Sequence, residues 1–397
     1  MEYIFSDRMK DMKGSAIREI FKAAADPSVI SLAGGNPAPE TFPNEELAVI
    51  AAELLKNEPV LSLQYGVTEG YPKLREAVKA RLKEKENIGA ENDELIIVSG
   101  GQQGIELTVK CLLNEGDVII VEEPSFIGAL NAFRSYNAKL VGVPMESDGM
   151  DMAALRAAIA ENDNVKAIYT IPTNQNPSGI TMSVEKRKEL YNIAKEAGIV
   201  ILEDNPYGEL VFDGKKMPTI KSMDDGSTVV YCGSFSKVLA PGLRIGFCMG
   251  PKEIIAKDII AKQITDVHTP MLTQLLAYEY MTRYDMDANI EKSCALYAHK
   301  CAYMIECIEK YFPEGVTHTT PNGGLFIWCD MGEGYDAMEV SKICAAEKVV
   351  FVPGNTFMTD MNKPCSAFRL NFSTMSDEKI EKGIRILGET LKKIMNK

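Results

Sequence analysis

Between residues 94 and 250, short apolar runs alternate with helix-like segments, and this alternation limits what the chain can fold into more than any other feature. The runs are Glu94–Ser99, Asp117–Glu122, Lys139–Pro144, Lys166–Pro172, Gly198–Glu203, Thr228–Ser234 and Arg244–Met249. Most are apolar at successive positions, so both faces of each strand must be covered. Helical patterns fill several gaps, notably Gln102–Leu113, Met152–Ala160 and Val184–Ala197. Strand-helix-strand order implies a doubly wound, mostly parallel sheet of seven strands in an α/β fold.

The remainder reads differently. Residues 254–311 have the pattern of long helices. Leu325–Asp330, Val349–Val352 and Ala367–Phe372 suggest a small sheet, with helices at 337–346 and 376–395. At 397 residues the chain exceeds one small core. We expect a large domain over 46–285 and a smaller α/β domain made of 1–45 plus 286–397.

The charge balance is 43 basic against 56 acidic residues, a net −13. It argues against nucleic acid or an anionic membrane as partner. The nine cysteines include no C-x-x-C pair and fit reduced thiols in a cytoplasmic protein. No apolar run approaches the roughly 18 residues of a membrane span. With three histidines far apart in sequence, we expect no metal site.

In such sheets ligands bind at the carboxyl ends of the strands, and several run ends carry unusual residues. Gly100-Gly101-Gln102-Gln103-Gly104 opens a helix; it reads as an anion cradle or as a plain tight turn. Asp204, at the end of an apolar strand, needs a cationic or hydrogen-bonding partner, or else caps a helix. Asn176, in Thr173-Asn174-Gln175-Asn176-Pro177-Ser178-Gly179, either donates to a ligand or sits in a Pro-Ser-Gly turn. Phe126 offers a flat face to a ring, or fills the core. Lys237, in Gly233-Ser234-Phe235-Ser236-Lys237 and followed by Arg244, suits an amine that binds a carbonyl cofactor while its neighbours hold a phosphate, or, taken in isolation, is a surface lysine in a polar turn.

Together, Asn176-Pro177-x-Gly179, Asp204-x-x-Tyr207, Ser234-x-Ser236-Lys237 with Pro241-Gly242-Leu243-Arg244, and Phe368-Arg369-Leu370 resemble the fold-type I pyridoxal-phosphate aminotransferases of class I/II. The resemblance runs from about Ser31 to Phe372. It implies pyridoxal 5'-phosphate as cofactor and amino acids and 2-oxo acids, 2-oxoglutarate among them, as substrates. Lys237 would be the Schiff-base lysine and proton shuttle. Asp204 would hold the ring nitrogen, and Asn176 and Tyr207 the phenolic oxygen. Phe126 would stack on the ring, where many relatives carry tyrosine. Gly101, Gln102, Ser234, Ser236 and Arg244 would grip the phosphate, and Arg369 the substrate carboxylate. Tyr65 looks like the tyrosine that reaches the phosphate from the other subunit, which implies a twofold homodimer.

Two segments, Ser15-Ala16-Ile17-Arg18-Glu19-Ile20 and Ser31-Leu32-Ala33-Gly34-Gly35-Asn36-Pro37-Ala38-Pro39, are similar to the branch of 2-aminoadipate and kynurenine aminotransferases. There Arg18 would select acidic side chains, or is a solvated helix residue. Gly35 would touch the substrate with its backbone, or only makes a turn. A same-fold enzyme that cleaves a Cβ–S bond is the alternative. An aminotransferase-like regulator would need a DNA-binding module that the residues before Ser31 are too few to form.

Overall fold

The structure is a computed structural model that describes residues 3–10, 26 and 28–395. Each of the seven apolar runs forms a strand whose limits lie within two residues of those expected. In chain order these strands are β1 (Asp93–Val98), β2 (Val118–Glu123), β3 (Lys139–Glu146), β5 (Val165–Thr170), β6 (Val200–Asp204), β7 (Val229–Ser234) and β8 (Gly246–Pro251). An eighth, β4 (Gly149–Met150), adds two residues at one edge, too few to leave a periodic signal. The spatial order is β1-β8-β7-β6-β5-β2-β3-β4. Strands β7, β6, β5, β2 and β3 are parallel, while β8 runs antiparallel to both neighbours.

The strands are apolar throughout because their alternate residues enter different cores. Ile96 and Val98 pack with Ile105 and Leu107 of the helix Gly101–Leu112. Leu95 and Ile97 pack on the opposite face with Val78 and Leu82 of the helix Pro72–Glu86. Further along the sheet, Ile120, Ile168 and Ile201 meet Leu190 and Ile193 of the helix Val184–Ala197. That helix starts where the Ser183 hydroxyl accepts from the Lys186 N–H and ends at Gly198 in the left-handed conformation, so both termini are written in the sequence.

The smaller domain holds an antiparallel sheet of β9 (Thr317–His318), β10 (Phe326–Asp330), β11 (Val352–Pro353) and β12 (Ala367–Asn371) in the order β9-β10-β12-β11. The expected strand Val349–Val352 is divided. Val349–Val350 pairs in parallel with Ile30–Ser31, whereas β11 pairs with β12. The two halves satisfy their backbone groups on different partners, a choice that local periodicity cannot reveal. The Asn371 N–H donates to the Leu32 carbonyl at 2.8 Å. This N-terminal stretch is thereby laid beside the small sheet, and it carries Gly35 to the large one.

Candidate active site

Register brings the carboxyl ends of β1 and β7 and the amino end of the antiparallel β8 to one place. Gly246, the first residue of β8, pairs with Val98 of β1 on one side and Ser234 of β7 on the other. A Cβ at Gly246 would lie 2.8 Å from the Gly101 nitrogen, so only glycine permits this approach. Just before it, Arg244 reaches back, donating to the Ser99 carbonyl at 3.2 Å and to the Ser236 hydroxyl at 3.5 Å. Gly100, at φ +79°, leaves room for that guanidinium; a Cβ there would collide with it. The helix Gly101–Leu112 begins here, its first N–H groups free of intrahelical partners. The Gln102 side chain turns aside and donates to the Gly128 carbonyl at 2.9 Å.

A cleft of about 270 Å3 opens at this point. Gly35, Gly101, Gln102, Phe126, Asn176, Asp204, Tyr207, Ser234, Ser236, Lys237, Arg244 and Arg369 all line it. Two expected residues are not among them. Tyr65 is 81% exposed and lies edge-on to His268, away from the cleft of its own chain. Arg18 lies outside the described residues.

The half-buried Lys237 amine donates to the Gly35 carbonyl at 2.6 Å. Burial lowers its pKa to about 8, and the charges of Arg369 and Arg244 act in the same direction. Asp204 is buried, and the Tyr169 hydroxyl donates to its Oδ2 at 2.8 Å. Burial raises this carboxyl to about 7, against that hydrogen bond. Burial is also the largest influence on the Tyr207 hydroxyl and pushes its pKa upward.

Arg369 leaves β12 nearly buried. Its Nη1 donates to Asn176 Oδ1 at 2.7 Å and its Nη2 to the Ala33 carbonyl at 2.6 Å. Phe326 and Phe357 lie against the guanidinium, with ring centres 4.1 and 5.0 Å away. Burial lowers its pKa to about 10. Its Nε is buried with no hydrogen-bond partner among the described residues. Sequence reading missed Phe326, Phe357 and Tyr169. Each comes from an ordinary apolar strand or turn, and only long-range packing gives it a role.

These features suit pyridoxal phosphate on their own evidence. At Gly101 an added Cβ would meet nothing nearer than Asp204 Oδ1 at 3.8 Å, so open space lies between the carboxylate and the helix N-terminus. Around that space stand an amine of lowered pKa, a buried carboxylate, and two hydroxyls beside an arginine.

The model of the aminotransferase class I and II family matches residues 27–387. Aromatic-amino-acid aminotransferase 1 of Thermococcus litoralis is 39% identical over 400 aligned residues, covering 100% of this chain and 96% of the relative. The 2-aminoadipate transaminase of Thermus thermophilus is 36% identical, covering 97% of this chain and 95% of its own. The crystal structure of a multiple substrate aminotransferase from Thermococcus profundus superimposes with a TM-score of 0.94 at 39% identity, covering 99% of this chain and 98% of the other. Fold, cleft chemistry and likeness along the whole length agree: the chain belongs to the class I and II aminotransferases, enzymes that work with pyridoxal phosphate.

Proposed function

We propose that this aminotransferase moves the amino group of an α-amino acid to 2-oxoglutarate, with a 2-aminoadipate-like or broad choice of donor. The observation that carries the reading is the Lys237 amine, which among the described residues has a carbonyl as its hydrogen-bond partner and lies under the influence of two guanidiniums. Such an amine loses its proton readily and can act as nucleophile and base. The relatives support the donor class: one is named for aromatic amino acids, one for 2-aminoadipate, and one for multiple substrates.

When bound, pyridoxal phosphate supplies an aldehyde carbon and a ring that takes up charge from the substrate Cα. The remaining work falls to the chain. The N–H groups of Gly101 and Gln102, the Ser234 and Ser236 hydroxyls and Arg244 would hold the phosphate. Asp204, costly to ionise where it is buried, would share a proton with the ring nitrogen. Asn176 and Tyr207 would orient the phenolic oxygen, and Phe126 would cover one ring face. Arg369 would take the substrate carboxylate, and Gly35 would bound the substrate side. Lys237 would remove the Cα proton and return it to the carbon that carried the cofactor's aldehyde, two bonds away.

Three further readings belong to this proposal. The chain divides into a large domain over 46–285 and a small one of 1–45 plus 286–397. In support, the helix Met271–Arg283 packs on Asn44–Asn57, whereas Met286–Tyr311 packs on Asp377–Met395. The enzyme is a twofold homodimer, in which Tyr65 from a second copy reaches the phosphate. In support, Tyr65 stands among the exposed apolar side chains of Val60, Leu63 and Val67. Its place is the cytoplasm, which suits cysteines that are all free thiols.

The test is the visible spectrum of the purified holoprotein, mixed with glutamate, 2-aminoadipate, kynurenine or leucine and no acceptor. Loss of the yellow colour with 2-aminoadipate or glutamate, and recovery on adding 2-oxoglutarate, is expected. Arg18→Ala should slow the acidic donors and spare leucine. Pyruvate and ammonia released from cysteine or cystathionine, with no donor bleaching the colour, would make the enzyme a C–S lyase instead.

A further inference from the structure

Asn174, Gln175 and Asn176 are consecutive, polar and buried, which is unusual for a loop. Their amides go to three different walls of the cleft. Asn174, at φ +50°, donates from Nδ2 to the carbonyls of Tyr207 at 3.3 Å and Leu210 at 2.9 Å. Asn176 faces Arg369. Gln175 turns to the loop that carries Phe126, where its Nε2 donates to the Pro124 carbonyl at 2.8 Å and to Glu122 Oε2 at 3.0 Å. Its Oε1 accepts from the Ser178 N–H at 2.8 Å and the Ser178 hydroxyl at 2.7 Å. The amide thus uses all the bonds it can make.

Glu122 is fully buried on β2 and does not line the cleft. Besides Gln175, it accepts from the Thr170 hydroxyl at 2.5 Å and the Ile171 N–H at 3.2 Å. A buried carboxylate is expensive unless several donors meet it, and here three do. Adjacent β2 and β5 would pair without it. Pairing within the sheet does not set the distance between the two loops beyond the strand ends, however, and one of these bears Phe126 and the other Asn176.

We propose that Glu122, acting through Gln175, is a positioning residue that sets the gap between Phe126 and Asn176, and so the slot into which the cofactor ring fits. Phe126 and Asn176 both line the cleft, where Phe126 would cover one face of the ring and Asn176 would reach its edge. Without Glu122 the Gln175 amide is free to turn away from the Pro124 carbonyl, and the Phe126 loop then loses this clip to the Asn176 loop, while the phosphate cradle, built on other strands, stays in place. The inference rests on pyridoxal phosphate as the ligand of the cleft and does not depend on which amino acid is the donor.

The experiment compares Glu122→Gln, Glu122→Ala and Gln175→Met as folded apoproteins titrated with pyridoxal phosphate. Affinity and the circular dichroism of the bound cofactor's visible band are followed, with the unmodified protein as reference. Glu122→Ala and Gln175→Met should each weaken binding by about tenfold, the scale of one lost hydrogen bond. They should also diminish the visible dichroism, which reports how the ring is held. Their double variant should be little worse than either alone, because both break one clip. Glu122→Gln should stay within roughly twofold, since the Thr170 hydroxyl can turn to accept from the new amide. Should Glu122→Ala fail to fold, Gln175→Met, close in volume, carries the test. Folded variants that melt earlier yet bind the cofactor with unchanged affinity and dichroism would overturn the proposal. These readouts need no amino acid, so a wrong donor assignment leaves them unaffected.

Discussion

Two lysines of this chain, Lys221 fully buried and Lys237 half-buried, have opposite surroundings. The Lys221 side chain is fully buried and is met by Asp93 at 2.6 Å, Asp224 at 2.7 Å and the Val229 carbonyl at 2.9 Å. Lys237 donates to one carbonyl and feels the charges of two guanidiniums, those of Arg369 and Arg244. The first amine has two carboxylates to hold its charge and ties the start of β1 to the turn before β7. The second has no carboxylate partner among the described residues, so its neighbours favour the neutral form. Burial alone therefore does not single out a reactive lysine; the sign of the charges around it does.

The widest separation between the two should come from removing each. Lys237→Ala should lower the half-reaction with any amino acid by at least roughly a thousandfold, the upper part of what a positioned base contributes. Its unfolding midpoint should hold, because no carboxylate loses a partner. A variant with normal turnover would end the assignment of Lys237. Lys221→Met should do the reverse. It leaves two buried carboxylates unpaired and should cost about 3–5 kcal/mol in denaturant unfolding. Whatever remains folded should bind cofactor normally. Near-native stability would mean that the triad is slack.

Arg369→Lys tests how far geometry matters beyond charge. The planar fork serves Asn176 and Ala33 while leaving Nε free, which an ammonium cannot reproduce. kcat/KM for amino acids should fall by roughly ten- to a hundredfold, with cofactor affinity much less affected. An equal loss in both would show that Arg369 supports the cleft and does not read the substrate. The smallest effect is the pH dependence of cofactor attachment to the apoprotein. Only the neutral amine reacts, and the Lys237 pKa is lowered from 10.5 to about 8. The rate should therefore rise about tenfold per pH unit up to pH 8 and level off above it. A plateau reached only near 10.5 would mean that burial and the two guanidiniums do not act on this amine.

Most of the sheet could be read from the chain. A strand buried on both faces must be apolar at every position, and Leu95 to Val98 are so because odd and even residues enter different cores. Helix ends were legible where a cap is local, as at Ser183 and Gly198. The division of residues 349–353 between two sheets was not, since both halves look alike until their partners are known.

The cleft shows the same division. Residues whose chemistry depends on their own side chain, such as Lys237, Asp204 and Arg244, drew attention by type and position, and Arg369 through the motif shared with the family. Those that act by contact did not. Tyr169 on Asp204, Phe326 and Phe357 on Arg369, and Glu122 under Gln175 each face a residue far along the chain. By itself, the sequence determined the α/β architecture, the family and the set of groups available for catalysis, because periodicity and motif are local properties. Only the tertiary structure decided which lysine is left without a counter-charge and how the walls of the cleft are joined, because the sign and distance of a neighbouring charge exist only once the chain has folded.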